Sequence, residues 1–216
     1  GLHRQIRLAN GNEQPTFARK LPRFNRQLGL SHNYNIAATA LVTNKKEHRS
    51  RPQHIGLYAL PDGKLLRAFK QHRATVRRVH FSPDDKLVAS HDRQGTLMVW
   101  TVDDGRVLLT RDGVRCCAFG PQGASVATAG NGRVERRQIT PGNKTHWNRA
   151  FAGGKPTDLA WSADGHYIAV AGEHGPIMVY AAASGEVHAQ LPGHEGGTRC
   201  LAFSADSRKL ASAGHD

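Results

Sequence analysis

Residues 76–90 read VRRVHFSPDDKLVAS, and the same frame returns at residues 114–128, VRCCAFGPQGASVAT, and at residues 198–212, TRCLAFSADSRKLAS. A fourth copy, TDLAWSADGHYIAV, occupies residues 157–170. The aromatic anchors Phe81, Phe119, Trp161 and Phe203 stand 38, 42 and 42 residues apart. Each copy holds an apolar strand, a turn rich in Pro, Asp or Gly, and a second apolar strand, the pattern of a tight hairpin. Self-similarity at this period makes the repeat, not the chain, the unit to interpret.

Working outward, a third strand follows each hairpin and ends in a bulky residue five positions before a turn glycine. The pairs are Tyr58 and Gly63, Trp100 and Gly105, Arg137 and Gly142, and Tyr180 and Gly185. A short fourth strand comes next, as in RVLLT (106–110) or EVHAQL (186–191). Four short strands in each unit of about 40–45 residues is the arithmetic of a β-propeller blade. No helical periodicity is sustained. The expected fold is therefore all-β, built of four-stranded antiparallel blades.

These segments resemble the WD-repeat family of β-propellers, above all GHEGGTRCLAFSADSRKLASAGHD (193–216) and QHRATVRRVHFSPDDKLVASHDRQGTLMVW (71–100). The resemblance covers residues 24–216 clearly and residues 1–23 faintly. It implies that residues 1–23 supply strands completing a terminal blade, or the tail of a preceding one, with Ile6 five residues before Gly11. Residues 24–216 supply the other blades, the last one incomplete. About five repeats are expected, as a closed five-blade ring or as a segment of a larger propeller. An open segment exposes strand edges and invites oligomerisation.

In this family a buried set of His, Ser or Thr, Asp and Trp ties a blade together. Carried over, it implies structural roles for His72, Ser90 and Trp100 in one blade and for His194 and Ser212 in the last. The Asp position counted back from Trp100 falls on Arg93, with Asp92 one place off, and Arg137 replaces the Trp of the next blade. No blade is then expected to keep the whole set, and cohesion should rest on Val79, Phe81, Leu159, Trp161, Leu201 and Phe203. On that reading Trp100→Ala and Trp161→Ala should each cost about 3–5 kcal/mol.

Chemistry-bearing patterns are sparse. Thirteen His scatter from His3 to His215 without ligand spacing, and no HExxH or CxxC pair is present. Neither a P-loop nor a G-x-S-x-G elbow occurs. Most acids fall in turns (Asp62, Asp84, Asp103, Asp104, Asp164); only Asp158 sits mid-way along a first strand near the channel, and one carboxylate cannot make an acid/base pair. No catalytic, cofactor-binding or metal residue is assigned, and the chain is not expected to be an enzyme, although a larger protein could join it to a catalytic domain. Three Cys (Cys116, Cys117, Cys200) cannot form a disulfide framework, which suits a cytoplasmic, reducing compartment. No apolar run is long enough for a membrane helix, and no membrane partner is expected.

Charge points to a partner. Thirty Lys and Arg against seventeen acids give +13, and residues 1–51 alone hold ten bases and two acids. Residues 44–54, NKKEHRSRPQH, insert a long loop between a second and a third strand. Its Lys45, Lys46, Arg49 and Arg51, with Arg73 and Arg93 on neighbouring loops, are the candidate partner-binding residues. Two partners fit this chemistry: an acidic protein segment, making the chain an interaction scaffold, or nucleic acid held through its phosphates. No aromatic interleaves the basic loop to stack bases.

Overall fold

The motif F-S-x-D explains how each hairpin closes. Ser82 Oγ donates to Asp84 Oδ1 at 2.6 Å and accepts the Leu87 N–H at 2.9 Å, pinning both ends of the turn. Ser162 does the same with Asp164 and Tyr167, and Ser204 with Asp206 and Lys209. In the copy where Gly120 replaces the serine, the backbone bond from Gly120 N–H to Ser125 carbonyl remains, at 2.8 Å. Short polar side chains that bond their own backbone two residues on make these segments turns.

The computed structural model describes residues 28–41, 54–60, 62–139 and 142–216. Every regular element among them is a strand. The first sheet is β1 (Leu28–Leu30), β2 (Ile36–Leu41), β3 (His54–Ala59) and β4 (Leu65–Phe69). The second is β5 (Val76–Phe81), β6 (Leu87–Asp92), β7 (Leu97–Thr101) and β8 (Val107–Arg111). The third is β9 (Cys116–Phe119), β10 (Ser125–Gly130), β11 (Arg133–Gln138) and β12 (Thr145–Ala150). The fourth is β13 (Pro156–Trp161), β14 (Tyr167–Gly172), β15 (Ile177–Ala181) and β16 (Val187–Leu191). The fifth pairs only β17 (Thr198–Phe203) with β18 (Leu210–Gly214). All are antiparallel meanders, and first strands of neighbouring sheets meet: β1 with β5, β9 with β13, β13 with β17. These are the blades of a β-propeller. Residues 1–27, and with them the expected terminal-blade strands of 1–23, lie outside the described residues.

Register explains why one column of the repeat carries the bulky residue. The pairing of third with fourth strand slips at Leu57/Tyr58, Val99/Trp100, Arg136/Arg137 and Val179/Tyr180. A bulge re-aims the side chain at that point, and Trp100 and Tyr180 thereby turn inward, each 1% exposed. The following glycine serves two ends at once. Gly185 sits at φ 72°, where side chains are strained, and an added Cβ would lie 2.5 Å from Trp147 of the preceding blade.

The core is divided among the joints between blades. One apolar cluster joins the first and second sheets, and others join the second to the third, the third to the fourth and the fourth to the fifth. At the first joint Phe69 stacks on Trp100, centroids 4.8 Å apart and planes 9° apart. At the third, Trp147 lies 5.9 Å from Tyr180. At the second joint, register puts Arg111 in the place of Phe69 and Arg137 in the place of Trp100. There Glu135, 5% exposed, accepts from Arg111 at 2.6 Å and Arg137 at 2.7 Å. An ion-paired triad stands where its neighbours have a ring stack. Trp161 departs from the expected burial: it is only partly buried, with Arg136 5.6 Å from its ring and Nε1–H on Gly165 carbonyl. At the end of β13, the ring gives one face to a cation rather than to the core.

Candidate functional site

The second blade holds a complete buried polar set, which corrects the expectation that no blade keeps one. His72 Nε2 lies 2.7 Å from Ser90 Oγ and His72 Nδ1 3.2 Å from Asp92 Oδ2. Trp100 Nε1–H donates to Ser90 Oγ at 2.9 Å. Only one proton arrangement satisfies all three bonds with a neutral ring: Nδ1–H donates to Asp92, and Ser90 O–H donates to Nε2. Burial pushes the His72 pKa down, opposed by Asp92. Counting back from Trp100 failed because Asp92 lies on β6 itself, two residues after Ser90 and so on the same face. Its other oxygen accepts the N–H groups of Gln94 and Thr96, both at 3.0 Å, and shapes the β6–β7 turn. Cohesion in this blade therefore rests on a polar chain as well as on apolar packing.

The fifth sheet carries the same set without a tryptophan among the described residues. His194 Nε2 lies 3.0 Å from Ser212 Oγ, and Nδ1 2.8 Å from Asp216 Oδ1. The second-blade set is shut away from solvent and shapes the β6–β7 turn.

The β6–β7 turn that this set holds borders a cavity of about 500 Å³. The β6–β7 turn, the segment before β9, the β10–β11 turn and Glu173 form its mouth, and the starts of β5, β13 and β17 form its wall. Five arginines line it: Arg77, Arg78, Arg93, Arg115 and Arg199. The two acids present are engaged, Asp92 with His72 and Glu173 with Lys155 at 3.8 Å. Arg78 pairs with Asp158 at 3.2 Å, and Arg115 Nε–H donates to Pro156 carbonyl at 3.2 Å. Arg77, Arg93 and Arg199 have no ion pair among the described residues.

Behind the arginines, His91 is 3% exposed and lines the same cavity, with no partner for Nδ1. Its pKa is lowered to about 4, first by burial and then by His80, Arg78 and Arg77. His80 is likewise lowered to about 4, by burial and by Arg78. Both rings are neutral at pH 7, so the wall adds hydrogen-bonding capacity without adding charge.

Of the candidate partner-binding residues, Arg93 lines the cavity. Arg73 is exposed in the β4–β5 connection, which is tied to Arg93 by the bond from Arg93 N–H to Thr75 carbonyl. Lys45, Lys46, Arg49 and Arg51 lie outside the described residues. Arg77, Arg78, Arg115 and Arg199 were not singled out from sequence. The signal was there: counted four places back from the aromatic anchors, one column of the repeat reads Arg77, Arg115, Thr157, Arg199.

Residues 63–101 match the family model described as the WD domain, G-beta repeat, and residues 132–206 match that of the WD40 domain of anaphase-promoting complex subunit 4. The chain belongs to the WD-repeat family. Among relatives of this WD-repeat chain, WD repeat-containing protein SL1-17 of Schistosoma mansoni is 29% identical over 158 residues, 71% of this chain and 52% of that protein. WD repeat-containing protein 1 of Gallus gallus is 32% identical over 127 residues, 52% of this chain and 21% of its own length. WD repeat and SOCS box-containing protein 1 of Xenopus tropicalis is 35% identical over 86 residues, 37% of this chain and 20% of its own. This WD-repeat chain thus spans about half, or less, of the length of these relatives.

Proposed function

We propose that this WD-repeat domain is a non-catalytic interaction scaffold whose basic rim binds an acidic segment of a protein partner. The observation that carries this reading is the cavity at the loop rim, with five arginines and both of its acids already engaged. Such a field draws in anionic partners and orients them on approach. The candidate residues of loop 44–54 belong to the connection between β2 and β3, the counterpart of the β6–β7 turn at the cavity mouth.

Fluorescence anisotropy with a labelled Asp/Glu-rich peptide tests the reading. Reversing Lys45, Lys46, Arg49, Arg51 and Arg93 to Glu should weaken binding at least tenfold while the unfolding midpoint moves little, since exposed charges contribute little to stability. Unchanged affinity would sink the basic-rim reading. Binding of mixed-sequence DNA or RNA with a log–log salt slope of about −3 to −4, as four neutralised phosphates require, would assign the rim to nucleic acid instead.

A further inference from the structure

Three of the arginines that line the cavity, Arg77, Arg115 and Arg199, come from one position of the repeat, and the strands are irregular there. Pairing of first with second strand slips between Val76 and Arg78, between Pro156 and Asp158, and between Thr198 and Cys200. Arg77, Thr157 and Arg199 are therefore the extra residues of three bulges, and Arg115 takes the same place before β9. A bulged residue leaves the ladder and its side chain is re-aimed. All four line the same cavity, so cations from the second, third and fifth sheets converge on one space instead of lying along a line.

We propose that this cavity is a binding site for a compact polyphosphorylated anion, held by Arg77, Arg115 and Arg199 with Arg93 at the mouth and His91 at the wall. Three properties select that class. A cavity of about 500 Å³ falls within the range of small-molecule sites and exceeds what one carboxylate or one phosphate fills. Guanidinium groups are planar forks that match phosphoryl oxygens bidentately, so several of them arriving from different sides suit a centre bearing phosphates in several directions. Finally, the His91 ring lines the same cavity beside the arginines, a hydrogen-bonding group at the wall next to the cations.

The proposal goes beyond the acidic-segment reading and is separable from it. Calorimetric titration of the full chain with myo-inositol hexakisphosphate, at about 150 mM salt where exposed charges are screened beyond ~8 Å, should give saturable one-to-one binding. Arg77→Gln with Arg199→Gln should weaken it at least tenfold. Arg208→Gln with Lys209→Gln removes the same charge at the hairpin-turn end of the fifth sheet and should change it less than threefold. In the parent chain the His91 ring nitrogen resonances should shift with the titration. No saturable binding, equal losses in the two double variants, or an unmoved His91 signal would each overturn the site. Vesicles containing phosphatidylinositol 4,5-bisphosphate distinguish the source: capture that the soluble probe competes away assigns the phosphates to a lipid headgroup, and soluble binding without capture assigns them to a free polyphosphate. Loss of peptide binding in a Lys45, Lys46, Arg49, Arg51 reversal that leaves Arg93 in place, with hexakisphosphate binding retained, would show the two readings to be independent.

Discussion

Trp100 does two jobs that substitution can separate. Its ring stacks on Phe69, and its Nε1–H completes the chain through Ser90, His72 and Asp92. Trp100→Phe keeps much of the apolar contact and forfeits the hydrogen bond, so urea denaturation should show a loss of at least about 1 kcal/mol. Trp100→Ala forfeits both and should cost about 3–5 kcal/mol. Trp161→Ala should cost clearly less, because that ring is only partly buried; equal losses at the two sites would contradict the burial described. At this scale the sequence was legible where a column repeats at fixed spacing, as Trp100 and Tyr180 do. Asp92 was not, because its reach depends on a turn whose length no spacing rule holds constant. The arginine column was readable but underweighted, because alternation along a strand does not say that a bulge will turn Arg77 and Arg199 toward one cavity.

Each of the four four-stranded blades contributes a strand-end bulge, a turn glycine and a fourth strand that receives the next blade. The glycine at the turn is the least replaceable of these. Gly185→Ala brings a Cβ to 2.5 Å from the Trp147 ring and strains a backbone at φ 72°. Loss of stability should exceed the roughly 1 kcal/mol typical of a φ-strained alanine alone, with the Trp147 fluorescence signal shifting as its contact opens. Gly142→Ala is the control: its φ is 86°, but nothing lies within 4 Å of the added atom, so only the strain should register. Hairpin and third-strand elements were readable because F-S-x-D and the bulky-residue-to-glycine spacing are local. The exchange of Phe69 and Trp100 for Arg111, Glu135 and Arg137 was not readable in that way, because it becomes visible only when residues of adjacent blades face each other.

Across the whole molecule, acid sensitivity follows from the neutral imidazoles of the inner wall. His80 and His91 both stand at about 4 when folded, against about 6.5 in an unfolded chain, and His72 is also lowered. Groups facing them are Arg77, Arg78, Asp158 and Asp92. As pH falls below about 6.5 the unfolded chain takes up protons that the folded chain refuses, so stability drops down to about pH 4. The loss from His91 alone is on the order of 3 kcal/mol. Chemical denaturation between pH 7.5 and 4 should trace this slope, and His91→Gln should flatten it; a flat profile in the parent chain would refute the buried-neutral assignment.

The joints between blades are not equal, and that has a mechanical meaning. Ring stacks at the first and third joints carry no charge, whereas the second joint holds the Arg111–Glu135–Arg137 triad, in which Arg111 is the member open to water and so the one reached by counterions. In a row of modules that touch only their neighbours, opening begins at the weakest contact. Raising salt should therefore slacken the Arg111 arm of the seam between the second and third blades, leaving its apolar cluster to hold it, and leave the ring-stacked joints as they are.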